Sequence, residues 1–187
     1  MIELIRPAVD WRDAWLESRE EWGRGVHQDG SGLRPTDDVD SAAGFAAWVS
    51  RLVNDENPAA EVADGWVHCT YRWIVEDGRV LGAVALRHEL NDFLREIGGH
   101  IGYGVRPSAR RRGVASWALG RMLDEARRLG LDRVMLTCVD DNVASARVIE
   151  GNGGVLADVR DTAHGRTRRY WITLGPEPVR QVPQKVR

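Results

Sequence analysis

Three consecutive arginines before a glycine, in Arg110-Arg111-Arg112-Gly113-Val114-Ala115, are the residues of this 187-residue chain whose types and spacing offer the plainest chemistry. An apolar run ends at Val105, and an amphipathic pattern opens at Gly113, with Ala115, Leu119, Met122, Leu123 and Ala126 inward and Gly130 as its stop. The order is therefore strand, short turn, helix N-terminus. A helix N-terminus carries unpaired N–H groups and a partial positive charge, glycine allows close approach of a ligand to the backbone, and arginines add charge. That combination suits a pyrophosphate. A GK[ST] ending and a GxGxxG turn are both absent, which excludes the two commonest phosphate loops. The pattern that fits is R-x-x-G-x-[GA], read as Arg110, Gly113 and Ala115. Taken alone, the three arginines read as a solvated charged turn.

Other chemically capable residues are few. Cys69 and Cys138 are far apart and have no CxxC partner, which argues against a zinc site or a disulfide; each reads as a small apolar strand residue. Asp140-Asp141 precedes Asn142 and reads as a helix cap rather than a metal pair. No metal site is expected. Formal charge is −2 and Lys185 is the sole lysine, so there is no broad basic field and no nucleic-acid partner is expected. The start of the chain has no basic region leading into an apolar stretch, and no run could cross a bilayer. A cytoplasmic protein without membrane association is the expectation.

The elements that must position these residues follow from periodicity and turn residues. Strands are expected at 2–6, 66–75, 80–86, 100–105, 133–139, 155–160 and 167–174. Helices are expected at 9–22, from Ser41 as N-cap, at 89–96, 113–129 and 142–150. Asp77-Gly78 reads as a hairpin turn. The unbroken run at 133–139 reads as a buried parallel strand. The order predicts an α/β single domain over residues 1–174 with a mixed sheet, followed by a loosely held, proline-rich polar tail at 175–187.

With these elements laid out, the sequence resembles the GNAT superfamily of N-acetyltransferases, and within it a subgroup of uncharacterised predicted acetyltransferases. The resemblance rests on Gly102-Tyr103-Gly104-Val105-Arg106-Pro107 before the loop, on the loop itself, and on Asn142 and Ser145 opening a helix that ends at Gly153. It implies a mostly antiparallel mixed sheet with a central splayed parallel pair, flanked by helices. It implies acetyl-CoA as co-substrate and direct transfer to a small-molecule or peptide amine; a non-catalytic acyl-CoA-binding module is the alternative. The pantetheine would pair with backbone at Tyr103 and Val105, with the Val105 N–H polarising the thioester carbonyl. The amides of Arg111, Arg112, Gly113, Val114, Ala115 and Ser116 would hold the pyrophosphate, with Asn142 and Ser145 beside the pantetheine.

His100 occupies the position where many members carry a basic glutamate, so it is either the base or a structural residue anchoring the turn after Gly98-Gly99. Where many members have a proton-donating tyrosine this chain has Ile149, and Gly154 replaces an aromatic; Tyr103 and Tyr170 are then the candidate donors, both also readable as packing residues. The acceptor side implied by the resemblance includes Trp11, Trp15, Trp22, Trp48 and the loop 23–40, whose Asp29, Asp37, Asp38 and Asp40 could draw in a cationic amine. A homodimer is common in such proteins, though no residue here argues for one.

Overall fold

A computed structural model describes residues 1–23 and 25–175; apart from Gly175, the expected tail lies outside the described residues. The chain begins with strand β1 (Ile2–Ile5), a 3-10 turn at Val9–Trp11, and helices α1 (Arg12–Trp22) and α2 (Ala42–Asn54). There follow β2 (Cys69–Glu76), β3 (Arg79–Arg87), the short α3 (Asp92–Glu96), β4 (Ile101–Val105) and α4 (Val114–Arg128). The chain continues through β5 (Arg133–Val139), α5 (Val143–Gly151), β6 (Val155–Thr162) and β7 (Gly165–Thr173).

Local chemistry sets most boundaries. Ser41 accepts from the N–H of Gly44 and starts α2, and Asn91 accepts from Leu94 and starts α3. Asp77 and Gly78 both take positive φ, the conformation a tight two-residue hairpin turn needs, and they join β2 to β3. Glycines at positive φ lie just beyond the ends of α4 (Gly130) and α5 (Gly153). Asn142 caps α5 by accepting from Ser145, whereas Asp140, expected to help cap, pairs instead with Arg166 and Arg168 on β7.

The strands form two sheets, β1-β2-β3-β4 and β5-β7-β6, and every ladder in them is antiparallel. The expected parallel setting of β5 is not seen in a ladder: β5 pairs antiparallel with β7 from Arg133↔Thr173 to Val139↔Thr167. Its continuous apolar run reflects burial on both faces, which residue type alone does not distinguish from parallel pairing. No parallel ladder joins β4 to β5 among the described residues; the segment just before β4 meets β5 at one isolated antiparallel bridge, Gly99 with Leu136.

Two apolar clusters clamp the first sheet. One face of β2 and β3 packs on α1 and α2 through Trp15, Phe45, Trp48, Leu52 and Trp73. The Trp15 and Trp48 rings lie 4.7 Å apart, and Trp48 and Trp73 lie 5.7 Å apart. The other cluster joins both sheets to α4 and α5 through Val84, Ile101, Leu119, Met122, Leu136, Ile149 and Tyr170. Burial on both faces explains why β3 is nearly all apolar rather than alternating.

Candidate active site

The site begins where the sheets meet and then part. At the bridge, the N–H of His100 donates to the carbonyl of Met135 (2.7 Å) and the N–H of Met135 donates to His100 Nδ1 (2.9 Å). Beside them the N–H of Gly98 donates to Thr137 Oγ1 (2.8 Å). A side chain on Gly99 would collide with the Met135 carbonyl, so glycine is required for this contact. Past the bridge β4 pairs with β3 alone.

Antiparallel pairing fixes which β4 groups are left over. The carbonyl of His100 accepts from the N–H of Arg87 and the N–H of Arg106 donates to the carbonyl of Leu81, so the alternate residues Gly102 and Gly104 also face β3. The N–H and C=O of Tyr103 and Val105 therefore point away from β3, into the opening between the sheets. Arg110 Nε already takes the carbonyl of Val105 (3.0 Å). On the far side of the opening stands α5, reached by the Tyr103 hydroxyl at 2.9 Å from Ser145 Oγ. Burial pushes the Tyr103 phenol up to about 12, so it stays protonated through the neutral range.

The loop after β4 continues this edge into α4. Arg111 (φ 61°) and Gly113 (φ 78°) both adopt the left-handed conformation, which folds the loop amides into a concavity of the anion-binding kind. A Cβ built on Gly113 meets nothing within 4 Å, so the surface above the first turn of α4 is open. The three arginines do not act alike. Arg110 is turned back, bonded to Val105 and stacked 5.0 Å from the Trp22 ring. Arg112 pairs with Glu76 at 2.6 Å. Arg111 has no side-chain ion pair among the described residues and is exposed. Ser116 Oγ accepts from Asn152 (2.9 Å), tying α4 to the end of α5.

His100 is 7% exposed, and burial first, then the cations Arg87 and Arg95, push its pKa down to about 4. Its Nδ1 lone pair is used by the Met135 amide, so the neutral ring carries its proton on Nε2 and has no free lone pair. Of the two readings of His100, this geometry fits the turn anchor. Cys69 and Cys138 are buried, and burial raises both thiols, Cys69 to about 12, as core residues require.

The opposite face of β4 carries Gly102 and Gly104. Trp22 lies against Gly104, its ring 3.4 Å from where a Cβ would stand, and the Asp29 carbonyl lies 2.8 Å from the same point. Of the tryptophans on this side, which also read as packing residues, Trp15 and Trp48 are buried in the helix core. Three acidic residues of the loop are engaged in structure: Asp37 with Arg51, Asp40 with Arg19, and Asp38 with the cap of α2. Asp29 remains at the glycine face, bonded to His27.

The sequence matches the family model of the acetyltransferase (GNAT) domain over residues 18–155. The chain belongs to the GNAT acetyltransferases. Its fold agrees with solved members. It is similar to Mycobacterium smegmatis RimJ in complex with CoA-disulfide (TM-score 0.70, 19% identity, 98% of this chain and 84% of that one). It is similar to a Salmonella typhimurium acetyltransferase that modifies the N-terminal serine of ribosomal protein L7/L12 (0.65, 17%, 93% and 95%). The microcin C7 self-immunity acetyltransferase MccE, solved with acetyl-CoA and AMP, is a third (0.66, 15%, 92% of each). A comparison with curated protein sequences finds no relative.

Two GNAT departures acquire a physical account. Ile149 is fully buried under both sheets, and a side chain at Gly154 would run into it, so the apolar residue and the missing aromatic go together. The structure also adds a residue that the sequence did not single out for chemistry. Arg106, 3% exposed, binds Glu21 through Nε, Glu17 through NH2 (2.7 Å) and the Val80 carbonyl, and Glu21 also accepts from the N–H and hydroxyl of Ser108. This network fastens α1, and with it Trp22, to the turn after β4. In sequence the two glutamates lie more than eighty residues away, and only a charge placed directly after an apolar strand hinted at it.

Proposed function

We propose that this GNAT enzyme binds acetyl-CoA along the open edge of β4 and transfers the acetyl group directly to a primary amine. The observation that carries the reading is the continuity between two sets of unused backbone groups: the outward amides of Tyr103 and Val105, and the left-handed loop at Arg111 and Gly113 opening α4. The residues fit the ligand. A strand edge accepts an extended amide-bearing arm as it would another strand, and the loop amides 111–116 with the Arg111 guanidinium suit a pyrophosphate. Asn142 and Ser145, at the start of α5, flank the same opening from the other side.

In this reading the Val105 N–H donates to the thioester oxygen as negative charge builds there, a contribution of about 3 kcal/mol for one preorganised donor. Arg110, by holding the Val105 carbonyl, fixes the peptide that follows this donor. Tyr103, kept protonated by burial, donates a hydrogen bond toward the departing sulfur without ionising. The acceptor amine arrives over Gly102 and Gly104, where the lack of side chains leaves room and Trp22 and Asp29 frame the approach. A relative modifies a peptide N-terminus, so a peptide amine belongs in any test alongside small amines. The reduced, buried cysteines suit a cytoplasmic setting.

The test is release of free thiol from acetyl-CoA in the presence of benzylamine, an amino-acid amide and a peptide with a free N-terminal serine. Amine-dependent thiol release with matching acetylated product is the expected outcome. Tight acetyl-CoA binding with no transfer to any amine would favour a non-catalytic acyl-CoA-binding module.

A further inference from the structure

With His100 committed to Met135, the site needs another group to take the proton from the incoming ammonium, because only the neutral amine attacks. We infer that His27, oriented by Asp29, is the general base on the acceptor side of β4. This inference rests on the acyl-transfer reading above.

Four observations lead to it. First, His27 Nε2 lies 3.0 Å from Asp29 Oδ1. A carboxylate there selects the tautomer with the proton on Nε2 and leaves the Nδ1 lone pair free, whereas that of His100 is taken by Met135. Second, the pair is accessible, with 79% and 71% of the two side chains exposed. Third, the loop that carries it is seated on β4 rather than waving above it. Gly30 sits so close that an added Cβ would stand 2.6 Å from the Gly102 carbonyl and 2.8 Å from the Ala83 carbonyl. Buried Ser31 ties the loop internally through its hydroxyl to the Gln28 carbonyl (2.7 Å). Fourth, the Asp29 backbone lies over Gly104, the neighbour of Val105, so the pair stands on the side of the strand from which an amine reaches the thioester.

The charged groups facing His27 are Asp29, whose hydrogen bond raises its pKa above the usual 6.5, and Arg87 of β3, which opposes this more weakly, as does partial burial. Histidine is the side chain whose ordinary titration range suits a base near neutral pH. The step balances simply. Nδ1 of His27 removes one proton from the ammonium, and the freed nitrogen pair forms the bond to the carbonyl carbon. The carbon–sulfur bond breaks with its electrons on sulfur. The second proton lost by nitrogen ends on the thiol, and the imidazolium returns the first to water.

Two measurements test it. Nitrogen-15 NMR of the imidazoles reads His27 directly, with no acceptor needed. The expectation is a neutral form protonated on Nε2, a pKa above 6.5, and a fall in that pKa in Asp29→Asn. A neutral form protonated on Nδ1, or a pKa that ignores Asp29→Asn, overturns the proposal. In the amine panel, His27→Ala should lower kcat/KM by about a hundredfold or more with KM for acetyl-CoA unchanged. Asp29→Asn should move the acid limb of kcat/KM to lower pH. Transfer by the wild type together with undiminished transfer by His27→Ala overturns the base while leaving the acyl-transfer reading intact; absence of transfer by the wild type to every amine overturns both.

Discussion

At the scale of single residues, the left-handed Gly113 and the committed His100 make opposite demands. Any residue with a Cβ at Gly113 keeps the open space but strains the backbone by about 1–2 kcal/mol. Gly113→Ala is therefore expected to weaken acetyl-CoA binding by about tenfold, read by calorimetric titration. Its kcat at saturating acetyl-CoA should change little, because the proposed chemistry lies at Val105 on β4, not in the loop. His100 makes a prediction about stability. Its folded pKa, about 4, is below the unfolded value of about 6.5. The fold thus favours the neutral ring, and the stability it contributes is complete above about pH 6.5 and is lost as pH falls toward 4. Melting temperatures measured from pH 7 to 4 should drop more steeply for the wild type than for His100→Asn, which has no such titration. The strand, turn and helix around the arginine run were legible from residue type and spacing. The run's division of labour was not, because the partners of Arg110 and Arg112, Trp22 and Glu76, lie far away in sequence.

At the scale of elements, α1 is held to the β4 turn by one buried guanidinium. Glu17 is kept below the usual carboxylate range by its hydrogen bond from Arg106 and then by that from Arg79. Arg106→Met should destabilise the fold by about 2 kcal/mol in urea unfolding. A double-mutant cycle with Glu21→Gln should return a coupling between the two sites, since they share one network. Additive effects would mean that α1 is held by apolar contacts alone. Element types were largely readable. The caps Ser41 and Asn142, the Asp77-Gly78 turn and the period of α4 are local signals, and the strand at 133–139 appears with the bounds expected. The misjudged starts, of β2 at Cys69 rather than 66 and of α3 at Asp92 rather than 89, fall where apolar or acidic residues continue outside the element. The partner of β5 was not readable, since β7 comes from the far end of the chain and a doubly buried strand shows no alternation.

At the scale of the whole molecule, the two antiparallel sheets are linked by one isolated bridge among the described residues and share a core with α4 and α5. The break leaves a strand edge unpaired inside the protein, an arrangement that is costly unless something fills it. Acetyl-CoA along that edge would pair the amides of β4 and cover the loop that opens α4. Hydrogen exchange of the amides, measured with and without acetyl-CoA, tests this most directly. The account predicts new protection at Tyr103, Val105 and residues 111–116, and no change on β6 at the far edge of the second sheet. Binding that leaves Tyr103, Val105 and the loop unprotected would contradict it.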